Sequence, residues 1–414
     1  MEGCRSACLT ERIQSSFLLA QDCSSDGAAQ LALQDVAVWA FQHKVSFHVG
    51  AEKSVALAKQ QEVQPILVFP VVGASPQEVC VRPSHRWLGL LWPANHDFLP
   101  ALLQAVHAAE SHVLSIVGLV SSGGLPLAFG LLLFESKVDG FLRFSRWILA
   151  TADGADEVYN RAFDKWGRLF LCSMPWRSAE VAACELGWSL SGFGRAVVDV
   201  ALRRAKLWSL PPSDLYGATL SIGHNFGTTW ATKSLCVLES VGAPDLPSLG
   251  SPMMPLKLYK VLIRGKLQAS CSSSRNNATA RHVIPFPYQD LMATSVCLSH
   301  PRAWKAMCWD GLKGHYSLCR LRAGLLELGH LRGKKNAAPQ SRCILCEALV
   351  RSPYSHVLGE CGWLQNFDLP SAWDSMSARE AAFRFLTTTP EQQHFPAVAR
   401  ACSAIELAHE AFWR

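Results

Sequence analysis

The residues best suited to chemistry lie near the C-terminal end of the chain, in the stretch CILCEALVRSPYSHVLGEC (343–361). Cys343 and Cys346 are two residues apart, and His356 and Cys361 follow them. A Cys-x2-Cys pair on a tight turn places two thiolates on one side of the backbone, at the separation that a tetrahedral zinc ion needs. With His356 and Cys361 as the other two ligands, the spacing predicts a structural zinc site without an open coordination position.

Other arrangements of histidine and cysteine leave alternatives open. The chain has 15 cysteines, so a chance Cys-x2-Cys pair among ordinary buried thiols is one of them. A second set with irregular spacing could in principle bind a metal, and it comprises Cys297, His300, Cys308, His315 and Cys319. Cys172 and Cys184 have no base nearby and are predicted to be structural thiols. The sequence shows no Ser-His-Asp signature and no phosphate-binding glycine loop, so no catalytic residue is predicted.

Length and composition bound the class of protein. The 414 residues are 49% hydrophobic and 17% charged, which excludes a disordered tail and allows two or three domains. The net charge of +6 is compatible with a nucleic-acid partner but is too small to indicate one. The N-terminal residues contain no apolar signal segment, and the cysteines are odd in number and dispersed. We therefore expect a reduced protein of the nucleus or cytoplasm that is not secreted.

The elements that would position the cysteine cluster follow from the hydrophobic pattern. In the first hundred residues it predicts a helix at 28–43 and strands at 45–50, 65–69 and 85–92. Beyond them it predicts helices at 135–150, 155–172, 178–187, 195–208 and in the tail from 372 to 414. The predicted fold class is α+β, with a small β-containing part followed by a mostly α-helical region and a small zinc-binding module.

Three further stretches are informative. Residues 113–134 are uncharged over a membrane-spanning length, but SSGGLP in their middle favours two short buried helices joined by a turn over a transmembrane helix. Residues 270–281 are polar and rich in breakers, which predicts a linker. Residues 333–342 are basic and predict a second linker that leads into the cysteine cluster.

These features together resemble the C-terminal part of non-LTR (LINE-type) retrotransposon reverse transcriptases, whose chains end in a Cys-x2-Cys…His-x4-Cys knuckle. The segment LQDVAVWAFQHKVSFHVGAEKSVALA looks like the family's palm helix and the motif that carries a lysine near the end of a short strand, here Lys53. HRWLGLLW resembles the primer-grip hairpin between palm and thumb. The segment from WGRLF to RRAKLW (166–208) resembles the thumb and connection region.

The resemblance implies a division of the chain into seven parts. These are an unassigned segment (1–16), the C-terminal part of the palm (17–95), the thumb and connection (96–269), the linker (270–281), a helical connector (282–340), the zinc-knuckle (341–366) and C-terminal helices (367–414).

The family is an RNA-directed DNA polymerase, which needs aspartates to hold two Mg²⁺ ions. In the family an adjacent Asp pair precedes an apolar strand; here FLLA (17–20) follows Ile13-Gln14-Ser15-Ser16, and no such pair exists. We therefore expect no polymerase site in this chain, and Mg²⁺ belongs only to an intact enzyme with a further N-terminal polymerase portion.

Binding of an RNA and DNA template–primer is the activity that the resemblance leaves. Two groups of basic residues are expected to contact phosphates: Arg195, Arg203, Arg204 and Lys206 in the thumb, and Lys334, Lys335, Arg342 and Arg351 around the knuckle. The thumb residues could equally form a solvated helix face. Two other functions stay open, an enzyme of another class that uses the scattered histidines and cysteines, and a membrane-associated or protein-interaction protein built around 113–134.

Overall fold

A computed structural model describes residues 55–57, 66–68, 77–87, 90–93, 97–173, 177–210, 229–242, 255–279, 309–326 and 341–413, with a few isolated positions between them. The chain divides into two compact units. Unit 1 comprises Met1–Ala105, Ser145–Ala155 and Asp199–Tyr259, and unit 2 comprises Val106–Phe144, Asp156–Val198 and Lys260–Arg414.

The described residues of unit 1 include five short strands. They are β1 (Val55–Leu57), β2 (Ile66–Val68), β3 (Gln77–Arg82), β4 (Ser84–Trp87) and β5 (Leu90–Pro93). Strand β3 lies between β1, to which it is parallel, and β2, to which it is antiparallel. Strands β4 and β5 form a hairpin in which Trp87 pairs with Leu90. The single strand predicted at 85–92 is thus two antiparallel strands.

Helices make up most of the described chain. They are α1 (Leu99–Ser121), α2 (Leu127–Leu133), α3 (Gly140–Leu149), α4 (Ala155–Phe170), α5 (Ala179–Glu185), α6 (Gly192–Trp208), α7 (Trp230–Ser240), α8 (Leu256–Thr279), α9 (Trp309–Arg322), α10 (Pro353–Gly359), α11 (Ala378–Leu386) and α12 (Phe395–Trp413). A π-helical turn (Phe134–Asp139) joins α2 to α3. A hairpin of two strands with two residues each, β6 (Ser341–Arg342) and β7 (Leu349–Val350), precedes α10. This content is consistent with the predicted α+β class, and the predicted helices between 135 and 208 are confirmed.

Two of the predicted N-terminal elements fall largely outside the described residues. The strand at 45–50 lies wholly outside them, and of the helix at 28–43 only Val38 and Gln42 are described, both helical. Lys53, Lys334 and Lys335 also lie outside the described residues.

The apolar stretch 113–134 is interrupted where the sequence predicts. Helix α1 ends at Ser121 and α2 begins at Leu127, and Gly123 between them has φ +74°, a conformation that glycine adopts without strain. Helix α1 is longer than predicted and only partly buried, since Leu114 and Leu119 are each 51% exposed. Among the described helices, α1 alone is long and apolar enough to cross a membrane, a criterion that core helices of soluble proteins also meet.

The core of unit 2 is aromatic. Phe134 is fully buried, stacks on Trp188 with ring centroids 5.0 Å apart, and meets Phe163, Trp166 and Phe170 edge-on. Such ring pairs contribute roughly 0.5–1.5 kcal/mol beyond the burial of their area. This cluster holds the π-helical turn against α4 and the segment after α5.

A buried ion pair joins three further helices of unit 2. The Arg322 Nε of α9 lies 3.1 Å from the Glu185 carboxylate of α5, and both side chains are at most 4% exposed. The remaining guanidinium nitrogens of Arg322 donate to the carbonyl oxygens of Leu291 and Leu386. Because every group of the arginine finds a partner, the cost of burying its charge is offset.

The linker predicted at 270–281 is wrong over the described part, because α8 continues to Thr279. The polar side chains bond to the helix itself: Ser272 donates to the carbonyl of Gln268, and Thr279 to that of Arg275. Arg275 also donates to the Trp188 carbonyl at 2.5 Å. Serine and threonine are weak helix formers in isolation, and here these contacts override that preference.

Candidate metal centre

The first two cysteines of the candidate site lie in the turn of the β6–β7 hairpin, where Arg342 pairs with Leu349. The Cys343 amide donates to the Ala348 carbonyl at 2.9 Å, and the Glu347 amide donates back to the Cys343 carbonyl at 3.0 Å. Glu347 has φ +58°, a left-handed conformation that costs a non-glycine residue roughly 1–2 kcal/mol. The tight reversal brings Cys343 and Cys346 to the same side of the hairpin.

Helix α10 supplies the other two candidate ligands. Pro353 occupies its first turn, where a missing N–H has no cost. At its C-terminal end the amides of Glu360 and Cys361 both donate to the His356 carbonyl, at 2.9 and 2.7 Å. This closure turns the chain so that Cys361 comes back toward His356.

The structure thus brings together all four residues that the sequence singled out. The ligand atoms of Cys343, Cys346, His356 and Cys361 all lie within 4.8 Å of one another. Thiolates about 2.3 Å from a central zinc ion would lie roughly 3.8 Å apart, so the cluster is of the size that a tetrahedral ion requires. Of the residues that the structure describes, these form the one group of three or more potential ligands.

Backbone amides point at the sulfur atoms. The Leu345 amide lies 3.4 Å from the Cys343 Sγ, which also accepts from the Cys346 amide. The amides of Ala348 and Trp363 donate to Cys346 and Cys361. Hydrogen bonds of this kind favour the thiolate, the form that binds a metal.

The three thiols nevertheless do not ionise alike. Burial raises the pKa of Cys343 against its two amide hydrogen bonds, and the Cys346 thiol adds to the rise. Burial raises the pKa of Cys361 to about 12 against the hydrogen bond from the Trp363 amide, and the charge of Cys343 adds to the rise. Burial opposes ionisation of Cys346 as well, but hydrogen bonds from His356 and the Ala348 amide lower its pKa to about 7. A cation at the centre would favour all three thiolates together, since it replaces their mutual repulsion with attraction.

His356 faces the thiols with one ring nitrogen and a carboxylate with the other. Its Nε2 is 3.2 Å from the Cys346 Sγ, and its Nδ1 is 3.5 Å from the Glu360 Oε2. A carboxylate behind a metal-ligating histidine fixes the ring orientation and makes the ligand nitrogen more basic. Sequence reasoning missed Glu360, although its position four residues after His356 on a helix was a usable signal.

The cysteine module is packed onto the helices of unit 2. Val357 and Leu358 are buried at the contact of α10 with α11, and the Tyr354 hydroxyl donates to the Leu326 carbonyl at 2.7 Å. A Cβ placed on Gly359 would overlap the backbone of Ala378, so glycine permits the close approach there. The candidate site therefore extends a folded helical unit.

The two described basic residues of the module are exposed. Arg342 lies on β6 directly before the first cysteine, and Arg351 follows β7. Leu349, which pairs with Arg342 across the hairpin, is 64% exposed. The exposed surface of the hairpin therefore combines two guanidinium groups with an apolar side chain.

The four basic residues that the sequence predicts as phosphate contacts in the thumb lie on helix α6, and they differ in exposure and in bonding partners. In unit 1, Arg204 is only 2% exposed and donates to the Ala231 carbonyl and the Ser234 hydroxyl, so its assignment as a phosphate contact is wrong. It shares the buried face of the helix with Ala201 and Ala205.

Two of the other three are also engaged. Arg203 lies over the Trp147 ring at 5.0 Å. In unit 2, Arg195 is 15% exposed, lies 3.5 Å from Asp139 and packs over the Phe163 ring. Lys206 is exposed.

The second possible metal set does not assemble within the described residues. His315 and Cys319 are both buried, with 3.8 Å between the His315 Nε2 and the Cys319 Sγ, while Cys297, His300 and Cys308 lie outside the described part of the chain. Burial, and then the nearby Arg322 charge, lowers the pKa of His315 to about 3, so the ring stays neutral.

The two thiols predicted to be structural differ in their surroundings. Cys172 is exposed, just after α4, with φ +48°. Cys184 is partly buried, and burial raises its pKa to about 11 against the opposing charge of Arg275. A thiol with so high a pKa is a poor nucleophile at neutral pH, as expected of a structural cysteine.

Comparison with known proteins found no matching protein family, no matching curated protein and no matching solved structure.

Proposed function

We propose that Cys343, Cys346, His356 and Cys361 bind a structural zinc ion that fixes the β6–β7 hairpin for contact with nucleic acid. The observation that carries the proposal is the convergence of three sulfurs and one imidazole nitrogen within 4.8 Å. Thiolate and imidazole ligands in tetrahedral number select zinc over the oxygen-preferring Mg²⁺ and Ca²⁺. With four protein ligands no position is left for a substrate, which makes the role structural.

The nucleic-acid part of the proposal depends on Arg342 and Arg351. Both side chains are exposed, and both flank the hairpin that the metal would hold. A guanidinium group binds phosphate oxygens through two parallel hydrogen bonds, and a rigid hairpin would keep two such groups at a fixed spacing. The overall charge of +6 adds a weak general attraction.

We further propose that the chain is the C-terminal part of a retrotransposon RNA-directed DNA polymerase, with an RNA–DNA template–primer as its partner. The order of the motifs and the terminal cysteine quartet support this. We expect no template-dependent synthesis by this chain, because no aspartate pair precedes FLLA (17–20). A primer-extension assay with Mg²⁺ or Mn²⁺ tests this, and incorporation above background would contradict it.

A protein-interaction or membrane-associated role is the second candidate function. Leu114, Leu119, Phe129 and Leu132 are large apolar side chains that are all at least 42% exposed, on α1 and α2 of unit 2. Exposed apolar side chains of this size are typical of surfaces that meet a partner. Flotation of the purified chain with neutral liposomes would support a membrane role, and its absence would weigh against one.

The main test combines metal content with nucleic-acid binding. Native mass spectrometry of the full chain is expected to show one zinc ion, lost on chelation together with affinity for an RNA–DNA hybrid. In the Arg342→Glu/Arg351→Glu variant, affinity should fall and the slope of log K against log salt should decrease by about 2, one for each phosphate contact.

The matched control for this variant is Arg384→Glu/Arg400→Glu, which changes the net charge equally at exposed arginines outside the hairpin. It should retain most of the affinity. An equal loss in both double variants would show general charge attraction and would contradict a specific role of the hairpin.

A further inference from the structure

We infer that Cys346 is the exposed, oxidisable ligand of the metal site, and that its reaction with a peroxide opens the site and releases the metal. This inference depends on the metal-binding part of the proposed function. It adds a site of chemical modification and a class of co-reactant.

The four ligands differ sharply in their access to solvent. Cys343 is fully buried and Cys361 is 2% exposed, whereas Cys346 lies exposed at the tip of the hairpin turn. His356 is intermediate and approaches the Cys346 sulfur at 3.2 Å from the inner side. A small oxidant arriving from solvent therefore meets the Cys346 sulfur before any other ligand atom.

The backbone amides reinforce this difference. The Cys343 Sγ accepts from two amides, those of Leu345 and Cys346, while the Cys346 Sγ accepts from one amide, that of Ala348. The His356 Nε2, which lies 3.2 Å from the Cys346 Sγ, would bind the zinc ion in the loaded site and would then donate no hydrogen bond to that sulfur. Each N–H donor withdraws charge from the sulfur and makes it a weaker nucleophile. Cys361 has one such donor but lacks exposure.

The reaction proceeds in two displacements. The Cys346 thiolate attacks one peroxide oxygen, an S–O bond forms, the O–O bond breaks, and the departing hydroxide takes a proton from solvent to become water. A second thiolate of the cluster then attacks the Cys346 sulfur, so that an S–S bond forms, the S–O bond breaks and a second hydroxide leaves. Two electrons pass from the two sulfurs to one peroxide. The resulting disulfide retains neither thiolate for the metal, which dissociates.

The proximity of the sulfurs supports the second displacement. All ligand atoms lie within 4.8 Å of one another, so a neighbouring thiolate reaches the oxidised sulfur with only small movements of the turn. A disulfide between Cys346 and a neighbouring cysteine is therefore the expected product of the first oxidation.

The test exposes the zinc-loaded full chain to hydrogen peroxide while a chromogenic chelator reports released zinc. Peptide mapping by mass spectrometry follows each cysteine. We expect Cys346 to be oxidised before Cys343 and Cys361, and one zinc ion to be released for each disulfide formed. Cys172 and Cys236, which are exposed elsewhere in the chain, should react without releasing metal.

The variant Cys346→His keeps four ligand atoms but removes the exposed thiol. Zinc release from it should be at least tenfold slower than from the wild-type chain, and release at the wild-type rate would overturn the inference. If Cys346→His does not hold zinc, the order of oxidation in the wild-type chain decides, and simultaneous reaction of all three cysteines would overturn the inference. A chain that never binds zinc would instead contradict the proposed metal site itself.

Discussion

Helix α9 and the cysteine module (the β6–β7 hairpin with helix α10) each contain a histidine beside a cysteine. On α9 the pair is His315 and Cys319, one helical turn apart and buried against α12, where Phe395 contacts the imidazole ring. In the hairpin module the pair is His356 and Cys346, which come from separate elements and are joined by two more thiols. The same two side-chain types therefore occupy a helical core in one place and a candidate metal site in the other.

The difference between them lies in the backbone and in solvent. In the hairpin, backbone amide N–H groups donate hydrogen bonds to the cysteine sulfurs, and Cys346 is exposed to solvent. On α9 the amides belong to a regular helix, and both side chains are sealed from water. A metal site needs several ligand atoms that converge on one point, and hydrogen-bond partners that stabilise the charged ligands. A histidine four residues from a cysteine on a helix brings two possible ligand atoms together but provides no such partners.

Removing one cysteine from each region gives the largest expected contrast. Cys343→Ala deletes a ligand, so zinc affinity should fall by more than the roughly 100-fold that loss of an outer-shell partner costs. Cys319→Ala should leave zinc affinity unchanged, because no metal is expected on α9. Competition titration with a chromogenic chelator measures both, and an equal loss in the two variants would refute the distinction.

The contact of α9 with α12 should be sensitive to one methyl group. A Cβ on Gly314 would overlap the backbone carbonyl of Ala399, so Gly314→Ala should lower the free energy of unfolding by about 1–3 kcal/mol, with or without zinc. Urea unfolding followed by circular dichroism measures this change. Gly265→Ala on α8 is the control: a Cβ there meets no atom within 4 Å, and stability should rise by about 0.5–1 kcal/mol. A neutral Gly314→Ala would show that the two helices separate without cost.

Glu360 tests whether the carboxylate behind His356 serves the metal. Glu360→Gln should weaken zinc affinity by roughly 10–100-fold, because the Nδ1–H of His356 loses its charged partner. Glu347→Gln removes the same charge from the same module and should leave the affinity nearly unchanged. Similar losses in both variants would point to general electrostatics, and Glu360→Asp should recover part of the affinity if orientation is what matters.

The buried His315 should make the helical core sensitive to acid. Its pKa is about 3 in the folded chain and 6.5 when unfolded, so below pH 6.5 only the unfolded chain takes up the proton. The folded state then loses stability as pH falls, by roughly 1 kcal/mol at pH 5.5. His315→Gln should remove that part of the pH dependence when unfolding is measured between pH 7.5 and 5.5. An unchanged profile would mean that His315 titrates equally in both states.

Sequence reasoning succeeded where the structure is local. The break between α1 and α2 follows from Gly123 and its neighbours, and the helices from 135 to 208 follow from hydrophobic periodicity. It failed at residues 270–279 because their helical state depends on contacts such as that of Arg275 with the distant Trp188 carbonyl. Hydrophobic periodicity predicts one strand at 85–92, whereas the structure has a hairpin of Ser84–Trp87 with Leu90–Pro93. Periodicity alone does not show where a strand turns back to pair with itself.

The sequence by itself determined the candidate metal site. Its four ligands lie within 343–361, and one hairpin turn and one short helix suffice to bring them together. Only the tertiary structure decided which basic side chains remain available. The Arg204 side chain is buried and donates hydrogen bonds to Ala231 and Ser234, whereas the Arg342 side chain is exposed to solvent. The physical reason is that ligand convergence is set by local backbone geometry, whereas burial of a charge depends on whichever distant segment packs against it.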